Sequence, residues 1–471
     1  MGSKRPVTPS NLPPPPGQKV YNDPGYERRW WLRMAAHVTI MGLLSFLFLK
    51  YGHLLGLWSS TSAQDLFSVV IDAGSTGSRV SVFHFKAKSG DFDDHNGVRL
   101  ESEYFQSVEP GISSYSKHPQ EAANSLKPML KRSLKHVPKE LQDQTMVILK
   151  ATAGLRLLPT SKADAILSKV RQLLVSSPYY LPDPSKVMVM SGEEEGLYGW
   201  VTVNFLLDLL WDEDTENTVT TFDLGGGSIQ VTFEVSHKQL DDCPVKDMYR
   251  VKLMHGSFNV FTHSYLGYGL KSARFGILGG RENPILDDPH DETRSHLLQE
   301  GWIAMHSECF GKEIMFDFTH GEFNYTVRGD NPNLDLLPVV EDRVKTFVAE
   351  AGFTRSTALQ ARDLHLFSYF FDVARWARLI PWSEHLYTLT PESYHKAAKT
   401  YCLQNNFSEK RPFLCIDLVY IYVFLTEGVG LPKDKPLMVE SKLLGREVSW
   451  SLGAALSTLS DGFFYEKLSL V

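Results

Sequence analysis

Cysteine is scarce in this chain of 471 residues, and none of the cysteines is spaced as the CxxC pairs of a zinc site. A structural zinc centre is therefore not indicated. An excess of positive charge is also missing, since 48 basic side chains stand against 55 acidic ones and the net charge is −7. This balance argues against a basic surface for nucleic acid. The four cysteines are Cys243, Cys309, Cys402 and Cys415.

Three common catalytic motifs are absent from the sequence: the Walker A lysine loop, the HExxH zinc helix and the GxSxG nucleophile elbow. Their absence argues against a P-loop ATPase, a zinc peptidase of that type and an α/β-hydrolase. The composition, 43% hydrophobic and 22% charged, is that of a globular protein. A chain of this length is too large for one hydrophobic core, so two or more domains are expected.

Long apolar stretches are few, and one of them lies near the N-terminus. Residues 34–58 read MAAHVTIMGLLSFLFL and, after a short break, LLGLW, which suffices to cross a bilayer if Lys50 extends to its surface. Residues 1–33 are proline-rich and basic and are predicted to be a disordered cytosolic tail. The positive-inside rule then predicts a single-pass type II signal anchor. Cleavage after Ala63 is an open alternative that would release a secreted protein.

Two N-glycosylation sequons begin at Asn324 and Asn406. They agree with a lumenal or extracellular position of the main body. In such an oxidising compartment four cysteines could form two disulfides, and three pairings are possible.

From residue 66 onward, predicted strands alternate with amphipathic helices, which indicates the α/β class. The segment SLKPMLKRSL, for example, places Leu126, Met129, Leu130 and Leu134 on one helical face. We place a domain boundary near residues 190–195. The first predicted domain comprises residues 66–192 and the second comprises residues 193–441. Residues 442–471 are predicted to return to the first domain.

Two segments share an unusual design: VVIDAGSTGSRVSVFHF at 69–85 and VTTFDLGGGSIQVTFEV at 219–235. Each has an apolar strand, an aspartate, a glycine-rich turn with hydroxyl residues, and a second apolar strand. An ordinary hairpin turn needs one glycine. Extra glycines let backbone N–H groups approach a phosphate, and Ser and Thr add further donors. Two such hairpins therefore suggest two similar domains that grip one polyphosphate.

The aspartate before each turn, Asp72 or Asp223, would repel a phosphate by itself. A divalent cation between them removes the conflict, so we predict that both hold the water shell of Ca²⁺ or Mg²⁺ from opposite sides. Hydrolysis also needs a base for the attacking water. The acidic turn GEEEG offers Glu193, Glu194 and Glu195, and spacing alone does not choose among them.

The paired hairpins resemble those of the actin, sugar-kinase and heat-shock-ATPase superfamily, in which two ribonuclease-H-like domains enclose the active-site cleft. Further segments narrow the resemblance to the apyrase family, the ectonucleoside triphosphate diphosphohydrolases. The matching segments stand in the family's order and are DAGSTGSR (72–79), KATAGLRLL (150–158), GEEEGLYGW (192–200), DLGGGSIQ (223–230) and WSLGAAL (450–456).

The resemblance implies roles for single residues. Glu195 becomes the catalytic base, while Gln230 and Thr152 orient the water or line the metal side. Arg79 fits either a phosphate contact or a structural ion pair, and we favour the ion pair. Arg156 has the same two alternatives. The resemblance also implies a set of groups that bind the terminal phosphate: the hydroxyls of Ser75 and Ser228 and the amides of Gly74, Thr76, Gly77, Gly226 and Gly227.

For the nucleobase, the resemblance implies stacking on Tyr420, opposed by Phe370 or, equally plausibly, Phe371. Few cysteines and one N-terminal span resemble the secretory-pathway branch of the family. Membership of that branch implies the disulfides Cys243–Cys309 and Cys402–Cys415.

The expected function is that of a lumenal nucleoside diphosphatase in the Golgi or endoplasmic reticulum. It would convert UDP and GDP left by glycosyltransferases into monophosphates. A broad-specificity apyrase that acts on extracellular ATP and ADP is the alternative. A kinase-like phosphotransferase and a nucleotide-gated binding module are alternatives from other classes.

Overall fold

The computed structural model describes residue 28 and residues 32–43, 64–87, 98–211, 217–236, 243–253, 256–280, 302–321, 323–459 and 464–468. Residues 1–62 and 63–471 form two separate units. In the first unit, residues 32–43 are helical. No helix within the described ranges is both long and apolar enough to cross a membrane. Residues 44–58 of the predicted span lie outside those ranges.

The second unit contains eighteen described strands. They are β1 (Gln64–Ala73), β2 (Ser78–Ala87), β3 (Val98–Val108), β4 (Met146–Ala151), β5 (Val187–Val189), β6 (Thr220–Leu224), β7 (Ser228–Glu234), β8 (Met248–Leu253), β9 (Gly256–Leu266), β10 (Trp302–Gly311), β11 (Met315–His320), β12 (Phe323–Asn331), β13 (Leu364–Ser368), β14 (Leu386–Leu389), β15 (Leu437–Glu440), β16 (Lys442–Leu443), β17 (Arg446–Glu447) and β18 (Phe464–Lys467).

Eleven α-helices of the second unit are described. They are α1 (Pro119–Ser133), α2 (Ala153–Arg156), α3 (Thr160–Val175), α4 (Gly192–Leu206), α5 (Leu270–Ile277), α6 (Leu337–Glu350), α7 (Thr357–Ala361), α8 (Tyr369–Trp376), α9 (Pro391–Tyr401), α10 (Leu414–Val423) and α11 (Ser451–Leu459).

Two of the sheets are built on one plan. The first has the order β3-β2-β1-β4-β5, with antiparallel pairing on the β2 side of β1 and parallel pairing on the β4 side. In the eight-stranded sheet, β14-β15-β13-β6-β7-β9-β8-β18, the strand β6 takes the place of β1. Its hairpin partner β7 is antiparallel, and β13 is parallel. The predicted α/β class is confirmed.

Helices cover both faces of the first sheet, so β1 is buried on both sides and reads as a continuous apolar run. On one face, α1 buries Leu126, Met129 and Leu130 against the sheet, while Leu134 lies just past the helix end. On the other face, α4 and α11 pack against β1. A Cβ atom at Gly453 would lie 2.2 Å from the Tyr198 carbonyl oxygen, so α11 can approach α4 only with glycine there.

A third sheet, β10-β12-β11, carries one of the two sequons. Asn324 is half-buried on β12, where its Oδ1 accepts a hydrogen bond from the Thr319 hydroxyl at 2.9 Å. Asn406 is exposed in a 3₁₀ turn, and its Nδ2 donates to the Thr400 carbonyl oxygen at 2.7 Å.

One of the two expected disulfides is present in the structure: Cys402 is bonded to Cys415. The expected Cys243–Cys309 bond is not formed, and both of these side chains are buried thiols. The Cys243 thiol lies 3.6 Å from the Ser356 hydroxyl, to which it donates. Burial raises the pKa of the Cys309 thiol, which disfavours the thiolate that disulfide formation requires.

Candidate active site

The turns of the two glycine-rich hairpins face each other across a cavity of about 630 Å³. Gly74, Ser75 and Thr76 line it from the β1–β2 hairpin, and Gly226 and Ser228 line it from the β6–β7 hairpin. A Cβ atom at Gly226 would lie 2.4 Å from the Ser75 hydroxyl oxygen. The two turns are therefore in contact, and glycine makes this approach possible.

Two of the predicted phosphate-binding glycines, Gly77 and Gly227, do not line the cavity. A Cβ atom at Gly77 would lie 2.8 Å from the Val108 carbonyl oxygen, and one at Gly227 would lie 2.9 Å from the Ala153 Cβ. The absence of a side chain at each glycine therefore lets the hairpin pack against these neighbouring atoms.

Asp72 and Asp223 are the second-to-last residues of β1 and β6 and line the same cavity. Burial raises the pKa of both carboxyls, and it raises that of Asp223 to about 6, with a further contribution from the negative charge of Asp72. One Asp72 oxygen accepts from Arg79 at 3.0 Å. The other, Oδ1, is buried without a hydrogen-bond partner among the described residues. Two buried carboxyls thus lie close together here, and one of them carries an unsatisfied acceptor oxygen.

Three consecutive glutamates open α4, and one of them lines the cavity. Glu194 closes a capping box with Ser191 and also binds Lys150 at 3.3 Å. Its role at the helix start is therefore structural. Glu193 is half-buried and does not line the cavity. Glu195 is buried and lines it, beside Asp223.

Glu195 is held in a polar network. Its carboxylate pairs with the Arg156 guanidinium and accepts from the Gln230 amide at 3.3 Å. The same Gln230 nitrogen lies 2.8 Å from both the Ser228 and Ser264 hydroxyls. Burial is the main cause that raises the pKa of Glu195 to about 8, against the opposing effect of Arg156. Gln230 is thus buried in the network and does not face solvent.

Thr152 reaches the cavity because it stands between β4 and α2. Its backbone N–H donates to the Ala73 carbonyl at 3.2 Å. A Cβ atom at Gly154 would lie 2.7 Å from the Cα of Ser75. The KATAGLR segment therefore packs directly against the first hairpin.

The two predicted nucleobase contacts, Tyr420 and Phe370, are wrong. Both side chains are fully buried and neither lines the cavity. Tyr420 lies on α10, which is buried along its whole length, and its hydroxyl donates to the Tyr268 carbonyl. Phe370 packs between Phe222 and Phe424. A nucleobase cannot reach either side chain.

Six other aromatic side chains line the cavity, of which the first three are half-buried and the last three buried: Phe105, Tyr369, Trp376, Phe371, Phe413 and Trp450. The Arg411 guanidinium lies 4.1 Å from the centre of the Trp376 ring. Phe371, which the sequence offers as the alternative to Phe370, is part of this lining. Phe371 is itself only 2% exposed, so it offers a base little ring surface.

Several polar residues of the site were not among the predicted set. Ser264 joins the Glu195 network, and Lys271 and Arg274 line the cavity. Arg274 forms two hydrogen bonds of 2.7 Å with the Asp417 carboxylate. The sequence feature that could have indicated Lys271 and Arg274 is the segment GLKSAR, in which two basic side chains follow a glycine. Strand alternation alone could not show that it lies beside the second hairpin.

Together, the duplicated sheets, the facing hairpins and the buried Glu195 define a phosphate-binding protein of mixed α/β fold with a site suited to phosphoryl chemistry. The chain belongs to the GDA1/CD39 (nucleoside phosphatase) family, which matches residues 59–331.

Two relatives illustrate this membership. The chain is 33% identical over 412 residues to ectonucleoside triphosphate diphosphohydrolase 5 of Gallus gallus, covering 85% of this chain and 89% of that protein. It is 33% identical over 422 residues to the nucleoside-diphosphatase uda-1 of Caenorhabditis elegans, covering 86% and 84%.

A similar solved structure is that of a nucleoside triphosphate hydrolase from Neospora caninum, with a TM-score of 0.55 and 14% identity. The match covers 88% of this chain and 97% of that one. At this identity it supports the fold alone.

Proposed function

We propose that the protein is a nucleoside diphosphatase that converts UDP and GDP into the monophosphates and inorganic phosphate. The observation that carries the proposal is the position of Glu195: a buried carboxyl with a raised pKa at the wall of a cavity between two phosphate-type hairpins. The relatives named above support a diphosphate substrate, since one of them is called a nucleoside-diphosphatase.

The terminal phosphate fits between the two turns. Ser75 and Ser228 offer hydroxyl donors there, and Gly74, Thr76 and Gly226 bring backbone to the same wall. Backbone N–H groups and hydroxyls that converge on one point stabilise a phosphate dianion and the charge that develops in its transition state.

A divalent cation fits the charges of this cavity. Seven carboxylate side chains line it against five basic ones, so a negatively charged diphosphate would be repelled unless a cation came with it. The unpartnered Oδ1 of Asp72 and the raised pKa of Asp223 also favour a cation in the cavity. Asp72 and Asp223 would hold the water shell of Ca²⁺ or Mg²⁺. Such an ion neutralises non-bridging phosphate oxygens.

Glu195 is the proposed base. It takes a proton from a water molecule as the water oxygen bonds to the terminal phosphorus and the bond to the leaving phosphate oxygen breaks. Inorganic phosphate and the nucleoside monophosphate are the products, and the proton then passes to solvent. Gln230 and Arg156 hold the carboxylate in place. A carboxyl with a pKa near the working pH suits this task.

The far end of the cavity would take the nucleoside. The half-buried Trp376 ring at the cavity wall would provide an aromatic surface that suits stacking of a flat base. This wall replaces the pair Tyr420 and Phe370.

We also propose a lumenal location in the Golgi or endoplasmic reticulum, with functional coupling to glycosyltransferases. The basic character of residues 1–33 and the sequons at Asn324 and Asn406 support this placement.

The test of the function is phosphate release from UDP, GDP, ADP, ATP and CDP with Ca²⁺, Mg²⁺ or a chelator. The wild type is compared with Glu195→Gln and Glu193→Gln. We expect diphosphates to lead, the chelator to abolish turnover, and E195Q to lose about 10²-fold or more in kcat. E193Q is the matched control, two positions away and outside the cavity, and should stay near wild type. Equal rates for ATP and UDP would favour a broad apyrase, and an active E195Q would contradict the base assignment.

A further inference from the structure

Two cross-strand pairs on β7 and β9 lie side by side next to α4. Gln230 is opposite Ser264, and Thr232 is opposite Thr262. Alternate residues of a strand share one face of the sheet, so both pairs lie on the same face. Gln230 Nε2 donates to the Ser264 hydroxyl at 2.8 Å, and the two threonine hydroxyls are 2.9 Å apart. The pairs are therefore alike in geometry, but Gln230 of the first pair also contacts Glu195.

Two glycines of α4 make room for these pairs. A Cβ atom at Gly192 would lie 2.2 Å from the Ser264 hydroxyl oxygen, and one at Gly196 would lie 2.4 Å from the Thr262 hydroxyl oxygen. The same Cβ atom at Gly192 would lie 2.6 Å from the Arg156 guanidinium. The first glycine of the GEEEG turn thus leaves the space in which Ser264 and Arg156 meet.

Ser264 contacts both side chains that hold Glu195. Its hydroxyl oxygen accepts from Gln230 Nε2 at 2.8 Å and from Arg156 Nη1 at 3.3 Å. The same Gln230 nitrogen and the same guanidinium contact the Glu195 carboxylate. Because an ionised carboxylate only accepts hydrogen bonds, both side chains must present their N–H groups to it. Ser264 is an acceptor that holds both of them in this orientation.

We propose that Ser264 is a positioning residue that keeps the Glu195 carboxylate in place through Gln230 and Arg156. The proposal rests on the diphosphatase function proposed above, in which Glu195 is the base. Ser264 is half-buried and does not line the cavity, so it acts through its neighbours and not on the substrate. A displacement of about 1 Å in a catalytic group can cost up to about 10²-fold in rate.

Ser264→Ala tests the proposal, with Thr262→Val as the matched control on the same strand and against the same helix. We expect S264A to lower kcat for UDP by about 10-fold. Its KM should change by about twofold or less, because Ser264 does not line the cavity. T262V leaves the buried Thr232 hydroxyl without its partner, so it should lower the melting temperature while kcat stays within about twofold of the wild type.

A double variant shows whether Ser264 acts through Gln230. Gln230→Ala removes the amide that Ser264 holds at 2.8 Å and leaves the longer contact to Arg156. Adding S264A to Q230A should therefore lower kcat by about threefold or less, compared with about 10-fold in the wild-type background. If S264A lowered kcat equally in both backgrounds, Ser264 would act independently of Gln230, and the proposal would be overturned.

An S264A protein that resembles T262V, with a lower melting temperature and unchanged kcat, would also overturn the proposal. A crystal structure of S264A gives a readout that needs no turnover. We expect the Gln230 amide to move away from Glu195 in it, and an unmoved amide and Arg156 guanidinium would contradict the positioning role. If the wild type hydrolyses no nucleotide, the diphosphatase function fails, while this crystal structure still decides whether Ser264 holds the two side chains.

Discussion

At the residue scale, the three glutamates of the acidic turn show how position on a helix separates structure from chemistry. Glu194 occupies the N3 position of the capping box, and Glu193 stays outside the cavity. Glu195 is turned toward Arg156 and Gln230. Acidic residues are common in the first turn of a helix because the dipole favours them there. The helix dipole accounts for the acidic residues Glu193 and Glu194. Glu195 differs from them because it is buried at the wall of the cavity.

The pH dependence of Glu195 provides a test. The carboxyl must be deprotonated to act as a base, and burial raises its pKa to about 8 while Arg156 opposes the rise. Activity should therefore be lost as pH falls through this pKa. Arg156→Met removes the opposing charge, so the acid limb of kcat/KM should move to a pH about 1 higher or more. The measurement is a pH profile of UDP hydrolysis for both proteins.

Arg171→Met is a suitable control, because Arg171 bonds to backbone carbonyls away from the cavity. Its acid limb should coincide with that of the wild type. If R156M lowered the maximal kcat/KM but left the acid limb at the same pH, a group other than Glu195 would control the pH dependence.

Residue-level prediction succeeds where a motif fixes both chemistry and direction. The hairpin pattern and the family resemblance place Asp72, Ser75 and Ser228 at one phosphate site, and all three side chains line the cavity. The prediction that Tyr420 stacks on the nucleobase is wrong because α10 is buried on all sides. The sequence of a helix that is apolar all round does not indicate which face meets a ligand.

At the element scale, the phosphate hairpins depend on the segments that support them. A Cβ atom at Gly269 would lie 2.3 Å from the Ser228 nitrogen and 2.5 Å from the Gly227 nitrogen. Both atoms are backbone and cannot move aside without displacing the turn. Gly269 is therefore a positioning residue for the hairpin, although it does not line the cavity.

Gly269→Ala should displace the second hairpin and lower kcat for UDP by about 10-fold or more, since overpacking costs about 1–3 kcal/mol and a small shift at the site affects the rate strongly. Inhibition by inorganic phosphate should weaken in parallel, because this substitution disturbs the terminal phosphate position. The measurements are kcat and the inhibition constant of inorganic phosphate.

Gly352→Ala separates this effect from a loss of stability. Gly352 has φ of +61° with nothing near its Cβ position, so alanine there strains the backbone by about 1 kcal/mol away from the site. We expect a lower melting temperature with unchanged kcat. If G269A behaved in the same way, the hairpin would not depend on Gly269.

Sequence patterns reveal the elements better than the contacts between them. Both hairpins, the α/β alternation and the KATAGLR turn were predictable because each is encoded within a few residues. The docking of residues 267–272 on the second hairpin is a tertiary contact. It joins two segments about forty residues apart in the chain, through backbone groups that any sequence possesses.

At the scale of the whole molecule, the two sheets of one plan bring their hairpins to a common cavity. Neither sheet alone contains the site: Asp72 and Thr152 come from the first, and Asp223 and Gln230 from the second. The excess of carboxylates in the cavity wall is then a property of the assembled pair. Under the proposed function, a cation shared by the two halves would offset this excess when a diphosphate binds.

A cation held between Asp72 and Asp223 predicts a specific pattern of thermal stabilisation. In the presence of UMP, Ca²⁺ or Mg²⁺ should raise the melting temperature of the wild type, because binding at a hundredfold excess over Kd stabilises the folded state by about 2.7 kcal/mol. Asp72→Asn and Asp223→Asn should each remove most of this cation-dependent shift. The double variant should lose no more than either single one, since both groups act on one ion.

Asp434→Asn, an exposed aspartate outside the cavity, should retain the full shift. The comparison of melting temperature with and without cation cancels the effect of each substitution on intrinsic stability, which matters because removing a buried charge can itself stabilise the fold. If one aspartate variant kept the shift while the other lost it, the ion would belong to a single hairpin. A shared cation would then not join the two halves. Another source of positive charge would have to offset the carboxylates that repel a diphosphate.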